Sequence, residues 1–154
     1  VKTAEDIRDL RGAMKELTDA PPSMIIKIET PEAVKNLPNL LLEGMHEPHF
    51  GIMIARGDLA VEIGFERMGE VQEEILWICE AGHVPVVWAT QVLESLNKSG
   101  MATRSEVTDA ANEAQADCVM INKGDHTVEV METLKDILLR TASHRIKKRY
   151  TFRP

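Results

Sequence analysis

Cysteine, long apolar runs and excess positive charge are all scarce in this sequence, and each scarcity removes a class of protein. Only two cysteines occur in 154 residues, Cys79 and Cys118, and their separation fits neither a metal knuckle nor a disulfide framework. They are expected to be core thiols in a reducing compartment. No apolar stretch approaches the ~20 residues of a membrane span, and Val1-Lys-Thr-Ala-Glu-Asp6 has none of the features of a signal peptide. A cytoplasmic protein with no membrane partner is expected. The start on Val rather than Met, immediately before a helical pattern, points to residues removed upstream. The formal net charge of −7 argues against nucleic acid as a partner. The tail His144–Arg153 is locally basic, but it lacks a repeated aromatic stacking pattern and reads as a solvated helix end, where the dipole favours cations.

What is present is enough for a folded core: 44% of the residues are hydrophobic and 28% charged, so disorder is excluded and residues 1–154 are expected to form one domain. Thr3 with Asp6 resembles a capping box, followed by Ile7, Leu10, Met14 and Leu17 at helical spacing up to Pro21-Pro22. Ile25–Glu29 then reads as a buried strand. Thr30-Pro31-Glu32 supplies an N-cap, an N1 proline and an acidic first turn for a short helix broken near Pro38. A second strand, Gly51–Ala55, leads into an acidic loop and a helix with Met68, Val71, Ile75, Ile78 and Cys79 on one face, ending at Gly82. Pro85–Ala89 is a third strand. A capping box at Thr103-Arg-Ser-Glu106 precedes a small-residue helix, Val107–Ala116, and Cys118–Asn122 is the fourth strand. Val128, Met131, Leu134, Leu138 and Ala142 are expected to line the inner face of a long last helix.

The strands begin near residues 25, 51, 85 and 118, intervals of 26, 34 and 33, close to the ~31 per unit of a (β/α)8 barrel. The expected class is therefore α/β: half of a TIM barrel, four parallel strands alternating with helices, with a doubly wound open sheet as the alternative. Each strand also ends in polar groups: Lys27 and Glu29, Arg56 and Asp58, Thr90 and Gln91, Asn122 and Lys123. Barrels build their active sites at these C-terminal ends. Lys27 and Glu29 are two residues apart and so point to one side of their strand, about 7 Å apart along it. Two charges in an apolar strand are costly unless they face a polar mouth. Asp58 offers a hard carboxylate for a divalent cation, Gly57 lets backbone approach a ligand, and successive amides of such a turn can cradle an anion. Simple ion pairs, Arg56 with Asp58 and Lys27 with Glu29, are the bland alternative.

Five segments taken together, Ile25-Ile-Lys-Ile-Glu29, Ile54-Ala-Arg-Gly-Asp-Leu-Ala-Val-Glu-Ile63, Ala89-Thr-Gln-Val-Leu-Glu-Ser95, Thr103-Arg-Ser-Glu106 and Ala116-Asp-Cys-Val-Met120, stand in the order and spacing of pyruvate kinase. The chain resembles the second half of that family's catalytic barrel. The resemblance implies a glycolytic phosphotransferase making pyruvate and ATP from phosphoenolpyruvate and ADP. It implies that Lys27 stabilises the transferring phosphoryl group and the enolate, that Glu29 and Asp58 ligate Mg²⁺ or Mn²⁺, and that Thr90 hydrogen-bonds the substrate. Backbone amides of Arg56, Gly57 and Asp58 would hold the pyruvate carboxylate. The K⁺ ligands and much of the nucleotide site lie in family segments with no counterpart here, so an isolated chain could be inactive.

The chain departs from the family at Ile26, where a small residue usually precedes the lysine. It departs further at Ile121-Asn-Lys-Gly-Asp125, which replaces a Ser-Gly-Glu-Thr segment. Asn122–Asp125 also fits the N-K-x-D pattern of guanine-specific GTPases, but no phosphate loop accompanies it. Two further functions compete: a metal-dependent aldolase or lyase acting on pyruvate enolate, whose barrels carry similar Lys-Ile-Glu-Thr-Pro segments, and a degenerate non-catalytic barrel module. Four strands cut from a barrel leave edges near Ile25–Glu29 and Cys118–Asn122 open, which predicts a homodimer or higher oligomer.

Overall fold

The hydroxyl of Thr3 accepts a hydrogen bond from the Asp6 amide and the Asp6 carboxylate accepts from the Thr3 amide, so the first helix, α1 (Ala4–Leu17), starts with the expected capping box. The computed structural model describes the backbone of residues 1–151 and the side chains of residues 1–141. Ala142 and the basic tail His144–Arg153 lie outside the described side chains. The chain divides after Ala89 into two units, Val1–Ala89 and Thr90–Pro154.

The first unit is a parallel sheet with helices. Strand β1 (Met24–Ile28) pairs with β2 (Phe50–Ala55) in the register Lys27↔Met53 and Ile28↔Ile54, and β2 pairs with β3 (Val86–Ala89) through Ile54↔Trp88 and Ala55↔Ala89. Between β1 and β2 lie α2 (Pro31–Lys35) and α3 (Leu37–Gly44). Thr30 caps α2 through the Ala33 amide. Pro38 does not break a helix but opens one, because in the first turn of α3 its missing N–H has no intrahelical partner to lose. Next to β2 and directly continuing it is α4 (Arg56–Ile63), then a short 3-10 turn at Phe65–Arg67 and α5 (Met68–Ala81). The expected acidic loop after β2 is thus a helix from its first residue.

The core of this unit contains Ile26, Ile28, Ile52, Ile54 and Trp88 from the strands and Ile7, Leu37, Leu40, Leu59 and Ile75 from the helices, all fully buried or nearly so. Each such side chain removed from water contributes roughly 1.5–3 kcal/mol. Helix α1 contributes only Ile7 to it, with Leu17 exposed, and its attachment to α3 runs instead through charges. Arg11 pairs with Glu43 and, at 3.6 Å, with Glu47, while Arg8 reaches Glu43 at 3.5 Å. Strand β1 is not buried on both faces: Met24, Ile26 and Ile28 are buried, whereas Ile25 and Lys27 alternate with them on an exposed side.

The second unit holds α6 (Glu94–Ser99), α7 (Arg104–Glu113), the two-residue strand β4 (Cys118–Val119) and α8 (Thr127–Thr151). The chain as a whole therefore carries four strands alternating with helices. Thr103 and Glu106 form the second expected capping box. Burial pushes the Glu106 carboxyl up, but the amides of Ser95 and Thr103 donate to it and hold it below the usual range. Gly100 ends α6 in the left-handed region at φ 74°, where its lack of Cβ is required. Helix α8 packs on α6 and α7, and among its described side chains Val130 and Leu134 are buried. Of the expected inner face, Leu134 is buried and Leu138 half-buried, whereas Val128 and Met131 are exposed because the helix starts at Thr127 and turns Val130 inward. β4 is shorter than expected, and Ile121–Asp125 continues it as irregular chain. No helix among the described residues is long and apolar enough to cross a membrane.

That irregular segment is fixed by one residue. Asn97, 2% exposed, donates through Nδ2 to the Asn122 carbonyl at 2.7 Å and accepts from the Thr127 hydroxyl at 3.2 Å, and its own carbonyl accepts from the His126 amide. A Cβ at Gly124 would run into the Asn97 amide, so the two groups lie too close for any other residue there. Asn97→Ala is expected to lower unfolding stability by about 1–3 kcal/mol, since it strands buried hydrogen-bonding groups. Exposed Asn112→Ala should change it by less than about 0.5 kcal/mol. Urea midpoints at constant slope measure both.

Candidate active site

Lys27 occupies one of the exposed positions of β1, and Glu29 stands just beyond the strand's end, so both side chains leave the sheet on the same side as the alternation demands. The Lys27 Nζ lies 2.7 Å from Glu29 Oε2 and 3.7 Å from Asp58 Oδ2. Asp58 reaches this point because β2 ends at Ala55 and the helix begins at once, placing Arg56, Gly57 and Asp58 on the first turn of α4. First-turn amides of a helix have no acceptor within it and carry the positive end of its dipole, which suits negative groups. One cation thus draws together two carboxylates from neighbouring strand ends, all three side chains at least a third exposed.

Arg56 behaves differently from the expectation of a charged residue at an open mouth. It is 8% exposed, its Nε donates to the Ala89 carbonyl at 3.2 Å, and its guanidinium lies over the Trp88 ring, 4.7 Å from the centroid. Its side chain therefore lies back across the end of β3. The Asp58 carboxylate for its part lies 3.7 Å from the Lys27 ammonium. Trp88 and Ala89 belong to the site's framework, although in the sequence they read as ordinary strand residues. The available signal is a tryptophan one residue before the end of a strand adjacent to an arginine.

Of the predicted site residues, Lys27, Glu29 and Asp58 are brought together and Arg56 and Gly57 are contiguous with them. Thr90 belongs to the second unit. There it takes a positive φ of 68°, followed by Gln91 at 57°, while Leu93 has 46°. A β-branched residue in that region is strained, and such strain collects at functional sites. Asn122 and Lys123 lie in the Asn97-held segment of the same unit.

Two carboxylates within reach of one cation are a fair donor set for a small hard metal that keeps several waters and takes further oxygens from a substrate. Glu29 and Asp58 are the residues that could hold it. Among the described residues no three His, Cys, Asp or Glu side chains come together, so protein alone would not complete a coordination sphere.

Hydrogen bonding to Glu29, with the charges of Glu29 and Asp58, raises the Lys27 pKa above its ordinary 10.5. A raised lysine pKa contributes stability that is complete below the unfolded value and is lost as pH rises through the folded one, so the contribution is present at neutral pH and its loss is confined to pH above about 10. Glu29→Gln is expected to bring the Lys27 titration, followed by the ¹³Cε shift, back toward 10.5. An unmoved titration would assign the raise to another group.

Comparison with known proteins accords with this geometry. The family model described as pyruvate kinase, barrel domain, matches residues 1–133. Pyruvate kinase 1 of Trypanosoma brucei brucei is 37% identical over 149 residues, covering 93% of this chain and 29% of the relative. The pyruvate kinase of Bacillus licheniformis is 35% identical over 147 residues, 92% of this chain and 24% of the relative. The crystal structure of a pyruvate kinase from Cryptosporidium parvum superposes with a TM-score of 0.83 at 32% identity, covering 93% of this chain and 30% of that one. The chain spans less than a third of the length of these relatives. With that family model matched over residues 1–133 and relatives above 30% identical across most of its length, the chain belongs to the pyruvate kinase family.

Proposed function

We propose that this chain is the second half of a catalytic (β/α)8 barrel, acting as one domain in phosphoryl transfer from phosphoenolpyruvate to ADP. The observation that carries the reading is the Lys27 ammonium set between the Glu29 and Asp58 carboxylates at two adjacent strand ends. In the reaction the bond between phosphorus and the enol oxygen breaks, a terminal oxygen of ADP takes the phosphoryl group, and the enolate left behind gains a proton at carbon to become pyruvate. Charge grows on the equatorial phosphoryl oxygens and on the enolate oxygen, and the protein's part is to aim positive charge at both. Lys27 is assigned that part. Amides of Arg56, Gly57 and Asp58 would bind the substrate carboxylate, and Thr90 would hydrogen-bond the substrate.

Glu29 and Asp58 would hold Mg²⁺ or Mn²⁺, which when bound supplies positive charge to the same oxygens. The K⁺ of the family has no ligands assigned in this chain. The chain is read as cytoplasmic; of its two free cysteines Cys79 is the core thiol expected, whereas Cys118 is exposed and is not. Assembly with a second copy belongs to the same proposal, because β1 presents Ile25, 53% exposed, beside Lys27 on its open side.

Three measurements test this reading. Mn²⁺ titration should show binding by the chain and at least about tenfold weaker binding by Asp58→Ala; equal affinities would reject the shared site. In a kinase assay of the complete protein, Lys27→Met should lower kcat far more than it raises KM, since the lost charge acts on the transition state. An unchanged kcat would leave Lys27 as a strand-end ion pair. Sedimentation at micromolar concentration should show an oligomer, and a well-folded monomer at every concentration would refute the assembly.

A further inference from the structure

Trp88 is the largest fully buried side chain of the chain, yet its indole Nε1 has no hydrogen-bond partner among the described residues. Buried indoles usually satisfy that N–H, and leaving it unmade is costly. Leucine or isoleucine would occupy a strand position without that cost. Something other than volume must favour the ring, and the Arg56 guanidinium 4.7 Å over its face is the group that uses it. The attraction of a desolvated cation to an indole face is among the stronger weak interactions in proteins.

The placement explains why the ring matters. Trp88 pairs in register with Ile54, two residues before Arg56, and Ala89, whose carbonyl receives the Arg56 Nε, pairs with Ala55. The arginine side chain therefore spans from the first residue of α4 to the end of β3 and ties the two together. Gly57 and Asp58 are the next two residues. The N-cap of helix α4 is Ala55, which has no side chain able to cap, so the start of the helix must be fixed by some other contact.

We propose that Trp88 is a positioning residue: its indole face holds the Arg56 guanidinium and thereby fixes the Arg56-Gly57-Asp58 turn for carboxylate and metal. The importance of that turn rests on the function proposed above; the stacking itself does not. Trp88 is fully buried and acts through Arg56. Its role depends on the face of the ring rather than on its volume.

Amide hydrogen exchange across residues 56–63 of the full 154-residue chain reads the turn directly, without any ligand. Trp88→Leu and Arg56→Met should each speed exchange there by about tenfold, and the double variant should do no more than either alone. Trp88→Phe, which keeps a ring face, should lose less than Trp88→Leu. Unchanged exchange in a folded Trp88→Leu chain, or effects of the two variants that simply add, would overturn the proposal. Should Trp88→Leu fail to fold, the effect of Arg56→Met is measured both in the unmodified chain and in the Trp88→Phe variant. A smaller effect in Trp88→Phe supports the stacking, and equal effects overturn it. Mn²⁺ titration on the same samples separates the two readings, because absence of binding in the unmodified chain counts against Glu29 and Asp58 as ligands while the exchange result alone decides Trp88.

Discussion

The register of β1 against β2 is the constraint on which the site depends. With Lys27 opposite Met53 and Ile28 opposite Ile54, the ammonium emerges on the open side of the sheet, level with the end of β2 where Asp58 follows. A slip of one residue would exchange the faces of β1, turning Lys27 into the core and Ile26 and Ile28 out of it. Burial of those two isoleucines is worth several kcal/mol, so the apolar half of the strand enforces the placement of its charged half. Packing and chemistry are here two readings of one alternation.

Most of the architecture is legible in the sequence because periodicity is a local property. Capping boxes at Thr3 and Thr103 and the proline at the start of α2 are visible as short motifs, and the structure has them. What is not legible depends on neighbours distant in sequence. The buried face of α8 is ambiguous because Leu134 fits a helical stripe with Val128 and Met131 as well as one with Val130, and only packing on α6 and α7 distinguishes them. The charged attachment of α1 to α3 escapes for the same reason, since Arg11 and Glu43 are 32 residues apart. Lys27, Glu29 and Asp58 can be named together because strand ends gather whatever residues follow apolar runs; the inward turn of Arg56 onto Trp88 cannot.

Arg56 and Lys27 divide the work of positive charge in different ways. Lys27 is half exposed and accessible to a ligand, with carboxylates holding its charge in place. Arg56 is buried, so its planar cation must be satisfied by protein, and the Ala89 carbonyl and the Trp88 face are among the groups that do so. Arginine suits this use because its planar guanidinium stacks and is weakly hydrated. A lysine at position 56 would offer a point charge to a ring and a carbonyl set for a plane.

The departure at Ile121–Asp125 takes on a definite physical meaning in this frame. A strand end that had merely lost its role would be expected to show loose backbone with few side-chain ties. Here Asn97 is buried and engages Asn122, His126 and Thr127, and the Thr127 hydroxyl also donates to the Gly124 carbonyl at 3.0 Å. Gly124 has no room for a side chain against Asn97. Buried polar groups satisfied on several sides specify one conformation, because any alternative leaves them unpaired. The segment is therefore held in one conformation, and it presents Lys123 and Asp125, both exposed, from a fixed backbone. Whatever the segment contributes must come from those two side chains and the backbone around them, since Asn97 and Thr127 are committed to holding it.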